Sequence, residues 1–202
     1  MIQHPASRPR LAGALLCAFA ASAQAGDLCP RTGDRSAWCP SAVFGQVGLG
    51  QDVAAVVAGA TWAWRWTRAF DVGEATGHWE ASFGRWEGLG ANGGSAWVTQ
   101  LGVTPVLRLH PKAWEHGLFA EVGIGVNLLA PVYRSEDKQF STVFNFGDHL
   151  AVGRRFPSGA ELSLRIQHFS NAGIRHPNPG ENFVQVRYAW PLNRSATPRT
   201  RP

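Results

Sequence analysis

His168 and Ser170 stand two residues apart in the run His168-Phe169-Ser170-Asn171-Ala172-Gly173-Ile174-Arg175-His176-Pro177-Asn178-Pro179-Gly180-Glu181, which closes on a carboxylate. A serine hydroxyl is a poor nucleophile at neutral pH and needs a base to take its proton as it attacks a carbonyl. An imidazole titrates in the right range to be that base. A carboxylate can then fix the imidazole tautomer and stabilise the imidazolium. Residues i and i+2 of a strand share a face with their Cα atoms ~6.5–7 Å apart, so the two side chains can lean into hydrogen-bond reach. Glu181 is the natural third member. Asn171, Asn178 and the backbone N–H groups around Gly173 could stabilise a tetrahedral oxyanion. A histidine and a serine at this spacing are most often coincidental, so the elements that hold them must decide.

Before His168, the residues Leu162, Leu164 and Ile166 alternate with Glu161, Ser163, Arg165 and Gln167. His168 and Ser170 therefore continue the apolar face of a strand. The same period of two recurs along the chain, and helical periodicity is weak. Val56, Ala58, Ala60, Trp62, Trp64 and Trp66 form one alternating set; Trp79, Ala81 and Phe83 a second; Leu118, Ala120, Val122, Ile124, Val126 and Leu128 a third. Eight strands follow, at 42–51, 56–70, 75–85, 96–109, 117–128, 141–155, 160–171 and 181–190. Each is at least as long as the ~9–11 residues that cross a bilayer when tilted.

Composition separates a membrane barrel from a soluble sandwich or lipocalin-like barrel, which period alone cannot do. Charged residues are only 16% of the chain, and it holds nine Trp and 23 Gly. The fold class expected is all-β, an eight-stranded antiparallel transmembrane β-barrel, closed so that no edge is left unpaired in lipid. So small a barrel is filled by side chains and encloses no pore. Glu80, Glu121, Arg65 and Arg165 are candidates for that interior, as is His78.

Residues 1–25 read as a signal peptide: Arg8 and Arg10, an apolar run from Leu11 to Ala21, and the cleavage site Ala23-Gln24-Ala25. Residues 26–202 then form one domain, with an N-terminal segment at 26–41 and a polar tail at 191–202. Removing the signal leaves 17 Lys/Arg against 14 Asp/Glu, with no basic stripe that would suit a nucleic acid. Cys29 and Cys39 remain and can pair in an oxidising compartment, closing a small loop. No c-type haem motif is present, and no metal or other cofactor is expected.

With both termini on the periplasmic side, Phe156-Pro157-Ser158-Gly159 makes a short periplasmic turn. The segments 88–95, 131–140 and 171–180 become outer loops. His168 and Ser170 then sit near the outer leaflet. Arg134, Glu136, Asp137 and Lys138 read as a solvated outer loop that could meet substrate phosphates, and His176 as a solvated loop histidine. Asp148 and His149 are adjacent and point to opposite faces. One parity conflict stands. Glu181 alternates with Gln185 and Arg187, opposite to Val184 and Val186, so either the last strand begins after it or a bulge re-aims it. Asn182 has the outward parity and carries no charge.

The string from His168 to Asn182 closely resembles the lipid A 3-O-deacylase (PagL) family of outer-membrane esterases, most strongly over 160–190. That resemblance implies hydrolysis of the acyl ester at the 3 position of lipid A, the anchor of lipopolysaccharide. It also implies His168 as base, Ser170 as nucleophile and Glu181 as third member, with Asn178 and Asn171 at the oxyanion site. The partners implied are the lipid substrate and the outer membrane, and a homodimer could shield the exposed site. Two other functions compete: a non-enzymatic barrel acting as structural protein or adhesin, and a barrel phospholipase with the same nucleophile.

Overall fold

The computed structural model describes residues 38–89 and 95–192. The signal peptide at 1–25, most of the 26–41 segment including Cys29, and the tail beyond Leu192 lie outside the described residues. Among the described residues nine strands form: β1 Ala42–Leu49, β2 Val53–Ala63, β3 Arg68–Phe70, β4 Gly73–Leu89, β5 Ser95–Pro111, β6 Leu118–Ala130, β7 Phe144–Arg155, β8 Glu161–Ser170 and β9 Glu181–Pro191. All pair antiparallel. Because β2 pairs with both β1 and β4, and β1 with β9, eight long strands close into a barrel. The three-residue β3 is an addition to the first residues of β4.

The wall is inverted relative to a soluble protein. Ile124, Leu150 and Ile166 are 62%, 66% and 61% exposed, while Arg165 and Arg187 are 1% exposed. The outward parity of the long strands is thus apolar, while the buried charged residues all lie on the inward one, an arrangement that is stable only against lipid. This settles the choice between a membrane barrel and a soluble sandwich.

The interior is layered. Toward the end that carries segments 131–143 and 171–180, Trp86 is the centre of an aromatic plug. Its ring meets Phe169 and Phe183 edge-on, each with centroids 4.8 Å away, and Tyr133 at 5.7 Å. Below the plug lies an ionic layer. Arg165 clasps Glu80 with two bonds of 3.0 and 3.1 Å. Arg108 clasps Glu161 with two bonds of 2.7 Å and donates a third, of 2.8 Å, to Glu121. A buried charge is tolerable only when paired in this way. His78 faces inward with Glu80, as its parity implied.

Most strand boundaries shift by a few residues, as where the strand expected over 75–85 runs from Gly73 to Leu89, and two of the shifts have visible causes. The strand expected over 56–70 stops at Ala63, and Arg65 is exposed outside the barrel instead of lining it. The tryptophans explain the break. Trp64 folds over the bare backbone of Gly77 and packs against Trp66 and Trp79 at 5.8 and 5.9 Å, so the expected ladder along the lipid face becomes a cluster. The strand expected from 141 begins at Phe144, because Ser141 and Thr142 are drawn into the neighbouring loop. The turn at 156–160 forms as read, closed by Phe156 N–H to Ala160 O at 2.8 Å.

Candidate active site

Strand β8 carries His168 and Ser170 outward and Phe169 inward into the plug, so the side chain between the two polar residues anchors them from behind. On one side β7 sets Asp148 opposite His168 and Phe146 opposite Ser170. On the other, β9 sets Asn182 opposite His168. Asp148 faces outward and His149 is buried, confirming that they do not act together.

Asn182, not Glu181, reaches the imidazole. His168 Nδ1 and Asn182 Oδ1 are 2.7 Å apart. Nδ1 donates here, since an amide oxygen only accepts, which leaves Nε2 as the basic nitrogen on the side away from Asn182. Glu181 points into the barrel, is fully buried, and binds Lys138 Nζ through Oε1 at 2.9 Å. The expectation that Glu181 stands at the histidine is therefore corrected. Strand β9 begins at Glu181 with no bulge, so its parity aims the carboxylate inward. The outward parity of Asn182, legible in the sequence, is what brings its amide to the ring.

The segment after Ser170 is a tight turn. Ala172 and Gly173 have φ of 54° and 79°, and Ile174 N–H closes the turn on Asn171 O at 3.1 Å. A left-handed alanine is strained. Within this turn the Ala172 N–H lies 3.5 Å from Ser170 Oγ. Ser170 and His168 are not hydrogen-bonded to each other here; such contacts often tighten only around substrate.

Asn171 is a staple. Its side chain donates to Ser141 Oγ, Thr142 Oγ1 and Arg175 O at 3.1, 3.2 and 2.8 Å and accepts from Gly173 N–H at 3.0 Å. Its amide is therefore spent on joining the 131–143 and 171–180 segments. Asn178 accepts the Asn171 N–H through Oδ1 at 3.0 Å, and its amide nitrogen has no protein partner among the described residues.

Gly180 is a site residue that the sequence reading passed over. Its φ is 70°, and an added Cβ would lie 2.6 Å from His168 Cε1. Only glycine allows the chain to pass so close to the imidazole. Lys138, read as a solvated loop residue, is instead mostly buried against Glu181. The Cys29–Cys39 pairing involves Cys29, outside the described residues. A cavity of about 710 Å³ lies at the other end of the barrel, lined by residues such as His78, Arg108 and Arg187. It shares no residue with the His168–Ser170 surface.

Comparisons with known proteins agree on one family. The family model described as lipid A 3-O-deacylase (PagL) matches residues 54–191. The lipid A deacylase PagL of Pseudomonas aeruginosa is 29% identical over 133 residues, 64% of this chain and 75% of that protein. The lipid A deacylase PagL of Bordetella bronchiseptica is 36% identical over 95 residues, 46% of this chain, and the match spans half of that relative's length. The crystal structure of the outer membrane enzyme PagL aligns with a TM-score of 0.65 at 27% identity, covering 74% of this chain and 99% of that one. With the family model covering more than half of its length, and an inverted eight-stranded wall beneath the match, the chain belongs to the lipid A 3-O-deacylase (PagL) family.

Proposed function

We propose that this outer-membrane barrel hydrolyses the acyl ester at the 3 position of lipid A, with Ser170 as nucleophile, His168 as general base and Asn182 as the group that orients the imidazole. The observation that carries the assignment is the 2.7 Å contact between His168 Nδ1 and Asn182 Oδ1 on the lipid-facing wall, one i+2 step from Ser170. A polar pair on that wall costs free energy unless it meets something polar in the membrane. The ester linkage of a lipid is such a partner.

In the reaction, His168 Nε2 takes the Ser170 proton as Oγ bonds to the ester carbonyl carbon. The carbonyl oxygen becomes an oxyanion. The Ala172 N–H, already turned toward Oγ, and the free Asn178 amide nitrogen supply donors to it. The Gly173 N–H can join them by leaving Asn171 Oδ1. Collapse breaks the bond to the sugar oxygen, which takes the proton from His168 and departs as the 3-hydroxyl. Water, deprotonated by the same nitrogen, then attacks the acyl-serine, and the fatty acid leaves as Ser170 Oγ takes that proton back from His168. Asn182 holds the Nδ1–H tautomer without adding negative charge, so stabilisation of the imidazolium is weaker than with a carboxylate there.

The test is mass spectrometry of lipid A from cells making the wild type or Ser170→Ala, with both barrels folded in the outer membrane. Loss of one 3-linked acyl chain with the wild type alone is expected. Identical lipid A from the two would refute the reading, and altered phospholipids with intact lipid A would indicate a phospholipase.

A further inference from the structure

The start of β9 has a one-sided attachment. On its β8 side, Asn182 is ladder-paired with His168. On its β1 side the ladder ends at Val184, opposite Leu49. Residues 181–183 thus lack the second strand that holds the rest of β9. The Glu181 carboxylate takes that place. Its Oε1 accepts the Asn182 N–H at 3.1 Å and the Lys138 ammonium at 2.9 Å.

Lys138 is not placed there by chance. Segment 133–140 is a small hairpin, closed by Phe140 N–H to Tyr133 O at 2.9 Å and Ser135 N–H to Lys138 O at 2.7 Å. Tyr133 and Phe140 anchor it in the plug. Burial, with the charge of Glu181 nearby, pushes the Tyr133 phenol up to about 12, so it stays neutral beside the pair. Asn171 ties Ser141 and Thr142, which follow the hairpin directly, to the turn after Ser170. A fully buried carboxylate with a single cation is costly to maintain, and a membrane barrel can fill its interior without one.

We propose that Lys138 and Glu181 are positioning residues for the deacylase: the ion pair fixes the backbone of Asn182, and through it the tautomer and aim of His168. Neither touches the substrate. The inference rests on the assignment of His168, Ser170 and Asn182 above. It recasts Glu181 as a group acting from inside the barrel wall on a residue outside it.

The experiment uses the full-length protein refolded in detergent, with purified lipid A as substrate and the heat-shifted mobility of folded barrels to count active molecules. Lys138→Met and Glu181→Ala should each lower kcat per folded molecule about tenfold with KM little changed, as loss of alignment does. Lys138→Arg should restore most of the rate, since it returns the cation. Histidine-selective nitrogen NMR, with the His168 signal assigned from its absence in His168→Gln, should show the Nδ1–H tautomer in the wild type and a growing Nε2–H population in Glu181→Ala. Wild-type kcat and tautomer in both variants, with Ser170→Ala inactive, would overturn the positioning role and leave the esterase standing. A lowered kcat with an unchanged tautomer and no rescue by Lys138→Arg would overturn it equally, as general loosening. An active Ser170→Ala would instead overturn the assignment on which it rests.

Discussion

A histidine partnered by an amide behaves differently from one partnered by a carboxylate. Asn182 Oδ1 orients His168 through one hydrogen bond and brings no counter-charge of its own to the imidazolium. Asn182→Asp adds that charge in nearly the same shape. An opposite charge stabilises the imidazolium that forms as Ser170 attacks, so Asn182→Asp should raise kcat severalfold. Asn182→Ala should lower kcat about ten- to a hundredfold through misorientation. Steady-state kinetics on the three proteins check both. At Gly180 the constraint is steric. An alanine there needs a left-handed backbone and would press on His168 Cε1, so Gly180→Ala should lose more than about tenfold in kcat, while folding as judged by heat-shifted mobility persists.

Among the elements, the strands were legible and their junctions were not. Period-two alternation marked His168 and Ser170 as outward-facing because Leu162, Leu164 and Ile166 precede them on β8, and the structure keeps that parity to the strand's end. The same rule applied to β9 already placed Glu181 inside and Asn182 outside. What overrode it was chemical expectation, since a carboxylate is the usual third member. Parity is a steric property of the pleat and does not yield to chemical preference. Lys138 was beyond the reach of pattern. Nothing local marks a loop lysine as buried, because its partner lies 43 positions away. Arg65 failed for a related reason: three alternating tryptophans suggested a continuing strand, and their affinity for one another and for the gap over Gly77 ended it.

For the whole molecule, stability and catalysis occupy different layers. The ionic layer around Glu80, Glu121 and Glu161 links strands from opposite sides of the barrel, and no member of it reaches the outer wall near Ser170. Glu80→Ala strands Arg165 and Arg187 inside the barrel. Removing one partner of a buried pair typically costs about 3–5 kcal/mol, so the urea midpoint of the refolded barrel should fall clearly. Deacylation by the fraction still folded should remain close to wild type. Denaturant titration followed by tryptophan emission, alongside activity per folded molecule, measures the two separately.

The position of Ser170 on the outside of the wall, between Phe146 and the 171–174 turn, determines how the enzyme counts its substrate. An enclosed pocket samples molecules delivered from solution. A nucleophile on a lipid-facing wall samples only the ring of lipids around the barrel, replaced by sideways diffusion within the bilayer. The quantity that sets its rate is the mole fraction of acylated lipid A in that plane, not its molarity in the suspension. Diluting a fixed mixture of enzyme and lipid with buffer should leave turnover unchanged, whereas blending in an inert phospholipid should slow it in proportion to the blend.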